Sequence, residues 1–134
     1  MAIILDIDAI IRGERGTFDL SRWLISEGDE EIKIAAITIA ELWHGVEHAS
    51  SAYKVQRRNY ILKMLSVVNI LPYTETPALE HARIWAALES SGEMIGFYDL
   101  IVAATALERG SAVATFNQRH FARVRGLKVI EPKL

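Results

Sequence analysis

Ala2-Ile3-Ile4-Leu5-Asp6-Ile7-Asp8 opens the chain with a short apolar run that stops at one acid and meets a second two residues later. A run so brief, apolar throughout and bounded by polar residues, is the pattern of a buried central strand. Three more polar side chains stand at the ends of apolar runs far away in sequence. Glu41 follows Ala35-Ala36-Ile37-Thr38-Ile39-Ala40, Asp99 opens Leu100-Ile101-Val102-Ala103-Ala104, and Asn117 follows Val113-Ala114-Thr115-Phe116. In an open α/β sheet the strand carboxyl ends converge on one edge, and ligands bind in the crevice there. Carboxylates gathered at that edge repel one another unless a cation or a proton lies between them. A hard divalent cation held by oxygen ligands is the economical answer, which points to metal-dependent chemistry.

Working outward, the remaining pattern supplies the rest of such a sheet. Gly13 and Gly16 bracket a polar loop, and Asp19 to Ser26 places Leu20, Trp23 and Leu24 on one helical side. Lys33 to Ile37 reads as the second strand. Thr38 then caps a helix to about Ala49, with Leu42 and Val46 on its inner face. Tyr53 to Val67 is a further helix, Asn69 to Pro72 a third strand, and Thr76 with Pro77 starts a helix that Gly92 stops. Asp99 to Arg109 is apolar nearly all round, hence buried, and ends at Gly110. Ala112 to Thr115 and Leu127 to Ile130 complete the strands. The order β-α-α-β-α-α-β-α-α-β-α-β implies an α/β fold, one mainly parallel sheet of four to five strands between two helical layers.

The chain of 134 residues has the size of one domain, 1–134, and its 51% hydrophobic and 24% charged residues are those of a globular protein. A mean hydropathy of +0.16 is apolar for so small a domain, which either a well-filled core or a partner-covered surface would explain. Cysteine is absent, so disulfides and thiolate metal sites are excluded. The N-terminus has no basic region and its apolar run breaks at Asp6, so no secretory leader is expected; nor is any segment long enough to span a bilayer. The expected location is the cytoplasm. A net charge of −2 argues against a generic nucleic-acid coating protein. Yet no acid lies between Glu47 and Glu75, where Lys54, Arg57, Arg58 and Lys63 occur, and Arg109 to Lys133 is basic apart from Glu131. Positive segments beside a negative pocket suit a phosphodiester substrate gripped by its backbone and cut at metals.

Each acid also has a plainer reading. Asp8 can cap a turn. Thr38-Ile39-Ala40-Glu41 matches a capping box, in which Glu41 would reach back to the backbone of Thr38. Asp99 suits the first turn of its helix, although an unpaired charge beside so apolar a segment is costly. Asn117 can cap the turn at Gln118 to Phe121, or hold a metal or its water, and Thr115 offers a hydroxyl at the same strand end. Among the histidines, His44 and His48 have chelating spacing but no third ligand nearby, so these, His81 and His120 read as surface or packing residues.

Taken together, Ile4-Leu5-Asp6 with Asp8, Thr38-Ile39-Ala40-Glu41-Leu42 with Gly45, Ile95-Gly96-Phe97-Tyr98-Asp99 with Ile101-Val102-Ala103-Ala104, and Ala114-Thr115-Phe116-Asn117 with Phe121 resemble PIN-domain proteins. More narrowly, the chain resembles the VapC toxins of bacterial type II toxin–antitoxin systems. The resemblance implies a PIN-like three-layer α/β/α fold and Mg²⁺- or Mn²⁺-dependent endoribonuclease activity. It further implies a small cognate antitoxin and a homodimeric toxin core. Carried over by position, Asp6, Glu41, Asp99 and Asn117 form the catalytic site, with Asp6, Asp99 and Glu41 as metal ligands. Asn117 stands where many relatives have a fourth aspartate, and Asp8 where asparagine is common. Thr115, Arg119 and Arg123 are expected at the RNA, and the antitoxin along Trp43, Val46, Tyr53 and Ile61. Two other readings fit less: a PIN-like binding module without catalysis, and a haloacid-dehalogenase-type phosphatase, whose D-x-D is present but whose late acidic pair is missing at Phe116-Asn117-Gln118.

Overall fold

Ala2–Leu5 forms β1, the central strand of the computed structural model, which describes residues 2–134. It lies between β2 (Glu31–Ala35) and β4 (Ala112–Ala114), with β3 (Asn69–Leu71) and β5 (Val129–Ile130) outside them, in the order β3-β2-β1-β4-β5. All four pairings are parallel. Side chains alternate across a strand, so neighbouring residues of β1 feed different cores. Ile3 and Leu5 join Ile34 and Ala114 under α1 (Ile7–Arg15), α2 (Leu20–Ser26), α3 (Ala36–His48) and α4 (Ser51–Leu65). Ile4 joins Ala35, Leu71 and Val113 under α5 (Glu75–Ser91), α6 (Phe97–Glu108) and the short α7 (Gln118–Phe121). The three-layer α/β/α arrangement expected from the sequence is the one observed.

The layers are sealed by side chains that water does not reach. Every residue from Leu100 to Ala106 is buried, and the one hydroxyl among them, Thr105, donates to the carbonyl of Ile101 at 2.8 Å. Trp23 anchors one core and Phe121 the other, both almost wholly enclosed. Burying an aliphatic or aromatic side chain of that size contributes about 1.5–3 kcal/mol.

Local starts differ from the sequence reading, each for a physical reason. The stretch expected as a polar loop is the end of α1, closed by Gly16 at φ 78°. Gly13 lies inside that helix because α1 and α4 meet there: an added Cβ would stand 2.5 Å from the Tyr60 hydroxyl. Tyr60 donates that hydroxyl to the Ile10 carbonyl at 3.3 Å, locking the two helices. Strand β2 ends at Ala35 rather than Ile37 and runs directly into α3, with Ala35 at the cap position. Thr38 is therefore the third helical residue, fully buried and without a hydrogen bond from its hydroxyl among the described residues. The expected capping box does not form, since a Thr-x-x-Glu spacing recurs one turn into a helix as readily as at its start. Helix α5 begins at Glu75 after Thr74, not after Thr76, with Pro77 still in the turn whose N–H groups need no partner. Helix α6 starts two residues early, at Phe97 after Gly96, which places Asp99 in its first turn.

Candidate active site

The site forms where the strand order turns back on itself. From β1 the chain moves outward through β2 and β3, and later fills the opposite side with β4 and β5. In parallel sheets this switch opens a crevice at the carboxyl ends of the two diverging strands. Leu5 pairs with Ala114, so the next residues, Asp6 and Thr115, face each other across that crevice. The Asp6 amide donates to the Ala114 carbonyl at 3.0 Å, and the Thr115 amide to Ile130 at 2.9 Å, fixing both backbones.

Asp6 is only 2% exposed and uses both carboxylate oxygens. Oδ1 accepts the Ile7 amide at 2.9 Å as the N-cap of α1, and Oδ2 accepts the Thr115 hydroxyl at 2.7 Å. Asp8 reaches the same side from the first turn of α1 rather than from a continuing strand. Its oxygens accept the Phe116 amide at 3.1 and 3.3 Å and lie 3.3 and 3.4 Å from the Thr115 hydroxyl. Thr115 has one proton, and the shorter distance assigns it to Asp6. Its oxygen also accepts the Asn117 amide at 2.9 Å. Fully buried, Thr115 holds the two aspartates and the turn after β4 in one geometry.

Glu41 enters from the second turn of α3 and Asp99 from the first turn of α6. Asn117 occupies the cap position of α7, yet its side chain makes no capping bond. Its amide nitrogen instead lies 2.9 Å from His120 Nδ1, and the same ring nitrogen lies 3.6 Å from Asp99 Oδ2. One imidazole thus links the amide at position 117 to the carboxylate at 99. By sequence His120 reads as a surface or packing histidine, and its only signal is the spacing of three from Asn117 on a helical turn. Of the others, His44 and His48 sit ring to ring on the exposed side of α3, and His81 is buried against Tyr73 and Trp85.

Burial and mutual repulsion push these acids toward the protonated form. Burial raises Asp6 to about 7 against the opposing hydrogen bond from Thr115, and Asp8 and Asp99 add to the rise. Burial raises Glu41 to about 7 as well, with Asp99 contributing. Asp8 and Asp99 are also raised, chiefly by burial; bonds from Phe116 and Thr115 and the nearby charge of Arg12 oppose this at Asp8, and His120 opposes it at Asp99. Four carboxylates drawn from α1 and its cap, α3 and α6 therefore share one negative crevice. Among the described residues no three His, Asp or Glu side chains stand as a ready-made cage for a cation. The donor set is nonetheless all oxygen and anionic, which fits a hard divalent ion once the partly exposed Asp8, Glu41 and Asp99 turn toward it.

Arg119 is exposed on α7, while Arg123 donates to the Met94 carbonyl at 2.8 Å and ties that region to the connection before α6. Of the surface expected for a protein partner, Val46 and Ile61 are each 2% exposed and belong to the core between α3 and α4, whereas Tyr53 is 65% exposed and Trp43 half-buried. Among the described residues no helix is long and apolar enough to cross a membrane.

Comparison with known proteins finds the family described as PIN domain over residues 3–127. Ribonuclease VapC1 of Rickettsia felis is 30% identical over 131 residues, covering 97% of this chain and 96% of the relative. The structure of DNA-bound VapBC from Salmonella typhimurium superposes with a TM-score of 0.90 at 25% identity, covering 99% of each chain. VapBC-5 from Mycobacterium tuberculosis, a member of the VapBC family of toxin–antitoxin systems, gives a TM-score of 0.77 at 28% identity, covering 97% of this chain and 98% of the other.

Proposed function

Because the chain belongs to the PIN-domain family, among its VapC ribonucleases, we propose that it is a toxin that cleaves RNA phosphodiester bonds with the aid of a divalent cation, Mg²⁺ or Mn²⁺. The observation that carries this reading is the buried, mutually repelling carboxylate set at the switch point between β1 and β4.

Asp6 and Asp99 would hold the ion, with Glu41 as a further ligand or as the group that orients a water, and Asp8 beside them. When bound, the ion lowers the pKa of a water and offsets the negative charge that builds on the phosphate. The remaining work falls to the chain. Thr115 holds Asp6 through a 2.7 Å hydrogen bond, so this ligand keeps its orientation before the substrate arrives. His120 braces Asn117 and faces Asp99, which sets the far wall of the crevice. Glu41, which burial raises to about 7 in the metal-free protein, would be held as the carboxylate by a nearby cation and could then accept a proton from an attacking water. Exposed Arg119 on α7 supplies positive charge for flanking phosphates, and Arg123 borders the same turn. Unpaired RNA is the fitting substrate class, because a single strand bends into such a crevice.

A small antitoxin is the proposed partner, on the strength of the toxin–antitoxin relatives, and the half-buried Trp43 and exposed Tyr53 belong to the helical layer it would cover. A homodimer is proposed as well. Tyr73, Trp85, Phe97 and Tyr98, each 42–60% exposed, cluster around His81 at the start of α6. A contiguous aromatic surface of that kind marks a protein interface. The cytoplasm is the matching location. The phosphatase alternative needs a late acidic pair after a strand, and Phe116-Asn117-Gln118 supplies none.

The test is cleavage of end-labelled single-stranded RNA by purified protein with Mg²⁺, Mn²⁺ or EDTA. Cutting that requires the divalent ion and stops when antitoxin is added supports the reading; RNA left intact under all three conditions overturns it.

A further inference from the structure

We propose that Arg12 is an RNA-positioning residue, which grips a phosphate of the strand next to the one being cut. This rests on the ribonuclease reading and extends it to a residue outside the acidic constellation. Arg12 lies on α1 one helical turn beyond Asp8, on the same face. Its guanidinium carbon stands 4.2 Å from the centroid of the Phe116 ring. Phe116 is the residue whose amide holds Asp8, so a single residue anchors an acid of the crevice with its backbone and a cation at its rim with its ring.

The surroundings show why that cation is available. Arg57 is paired with Glu14, Arg83 with Glu80 and Arg109 with Glu108, and Arg123 is bonded to a carbonyl. Arg12 is exposed and forms no ion pair within 4.0 Å among the described residues. Stacking on an aromatic face engages the plane of a guanidinium and leaves the N–H donors along its edge free. Those donors match two oxygens of a phosphate, and pre-orientation by the ring lessens the entropy lost on binding. A polyanion approaching four carboxylates also needs positive charge where it enters. Arg12 is close enough to Asp8 for its charge to be felt there, which places it at that entrance.

The probe is a 5′-labelled single-stranded RNA 12-mer, titrated by anisotropy against wild type, Arg12→Ala, Arg12→Gln, Arg12→Lys and the surface control Arg22→Ala across a range of salt concentrations in EDTA. Arg12→Ala and Arg12→Gln should weaken binding roughly tenfold and reduce the slope of log K against log salt by about 0.7, the loss of one phosphate contact on a single strand. Arg12→Lys should recover the slope but only part of the affinity, and Arg22→Ala should match wild type. In Mg²⁺, KM should rise with kcat nearly unchanged, a split that a folding defect would not produce. Wild-type cleavage together with an unchanged salt slope in Arg12→Gln overturns the assignment of Arg12 alone. A variant that loses affinity for antitoxin but not for RNA overturns it too, in favour of a protein contact. A wild-type protein that neither binds nor cuts RNA overturns the ribonuclease reading, and this inference with it.

Discussion

Replacing Asp6 by asparagine should stabilise the metal-free protein at alkaline pH while abolishing cleavage. The folded state holds the Asp6 carboxyl at about 7 against 3.8 for a free group, a rise of roughly three units, worth about 4 kcal/mol at 1.36 kcal/mol per unit. The folded protein therefore binds more protons than the unfolded chain between about pH 4 and 7. Stability falls as pH climbs through that window and levels off above it. Asparagine removes the penalty but keeps one acceptor where the carboxylate had two, a loss of about 1–1.5 kcal/mol. The Thr115 hydroxyl can turn toward Asp8, 3.3 Å away, which softens that loss. Near pH 4.5 the two effects should cancel, and at pH 8 the variant should be about 2–3 kcal/mol more stable. Urea unfolding in EDTA at both pH values measures this directly. At pH 8, Mn²⁺ at 100 times its Kd should roughly cancel this difference, adding about 2.7 kcal/mol to wild type and little to the variant, and at 1,000 times its Kd, worth about 4.1 kcal/mol, it should reverse the order. Parallel stability–pH curves for the two proteins would show that Asp6 carries no burial penalty, and the electrostatic account of the crevice would fail with it.

Asp99→Asn and Glu41→Gln should each reduce RNA cleavage by at least 100-fold at saturating Mg²⁺ without lowering the midpoint of thermal unfolding in EDTA; activity close to wild type in either would remove that residue from the site. Asn117→Asp should tighten Mn²⁺ binding or add a second binding event in a calorimetric titration, because an anion outcompetes an amide for a hard cation; an unchanged titration would leave Asn117 as a brace for His120 only. Phe97→Ser with Trp85→Ser should convert a dimer to a monomer in light scattering while circular dichroism is unchanged, and a retained dimer would place the interface elsewhere. Trp43→Ala with Tyr53→Ala should weaken antitoxin binding but spare cleavage by the free toxin, and an unchanged affinity in calorimetry would move the docking surface.

Much of the molecule was legible in the chain because its signals are local. The run before Asp6 and the apolar segment after Asp99 read as buried from composition alone, and alternating strands and helices bring such acids to the carboxyl edge of a parallel sheet. The parallel sheet followed from the same alternation of strands and helices, and Asp6, Glu41 and Asp99 stood out there as candidate site residues. Tertiary structure decided what local pattern leaves degenerate. Thr38-Ile39-Ala40-Glu41 reads as a cap in sequence, but β2 passes into α3 without a loop, so the helix starts earlier and Thr38 lies in the core. Val46 and Ile61 looked available to a partner, yet α3 and α4 pack their faces together and bury both. The Thr115 bond to Asp6 spans 109 positions, and the contacts of Arg12 with Phe116 and of His120 with Asp99 also join separate elements. Such pairings depend on the register of β1 against β4 and on how α1, α6 and α7 meet the sheet. Residue type and spacing carry no record of that geometry, because a side chain's partner across the fold is set by packing rather than by its neighbours in sequence.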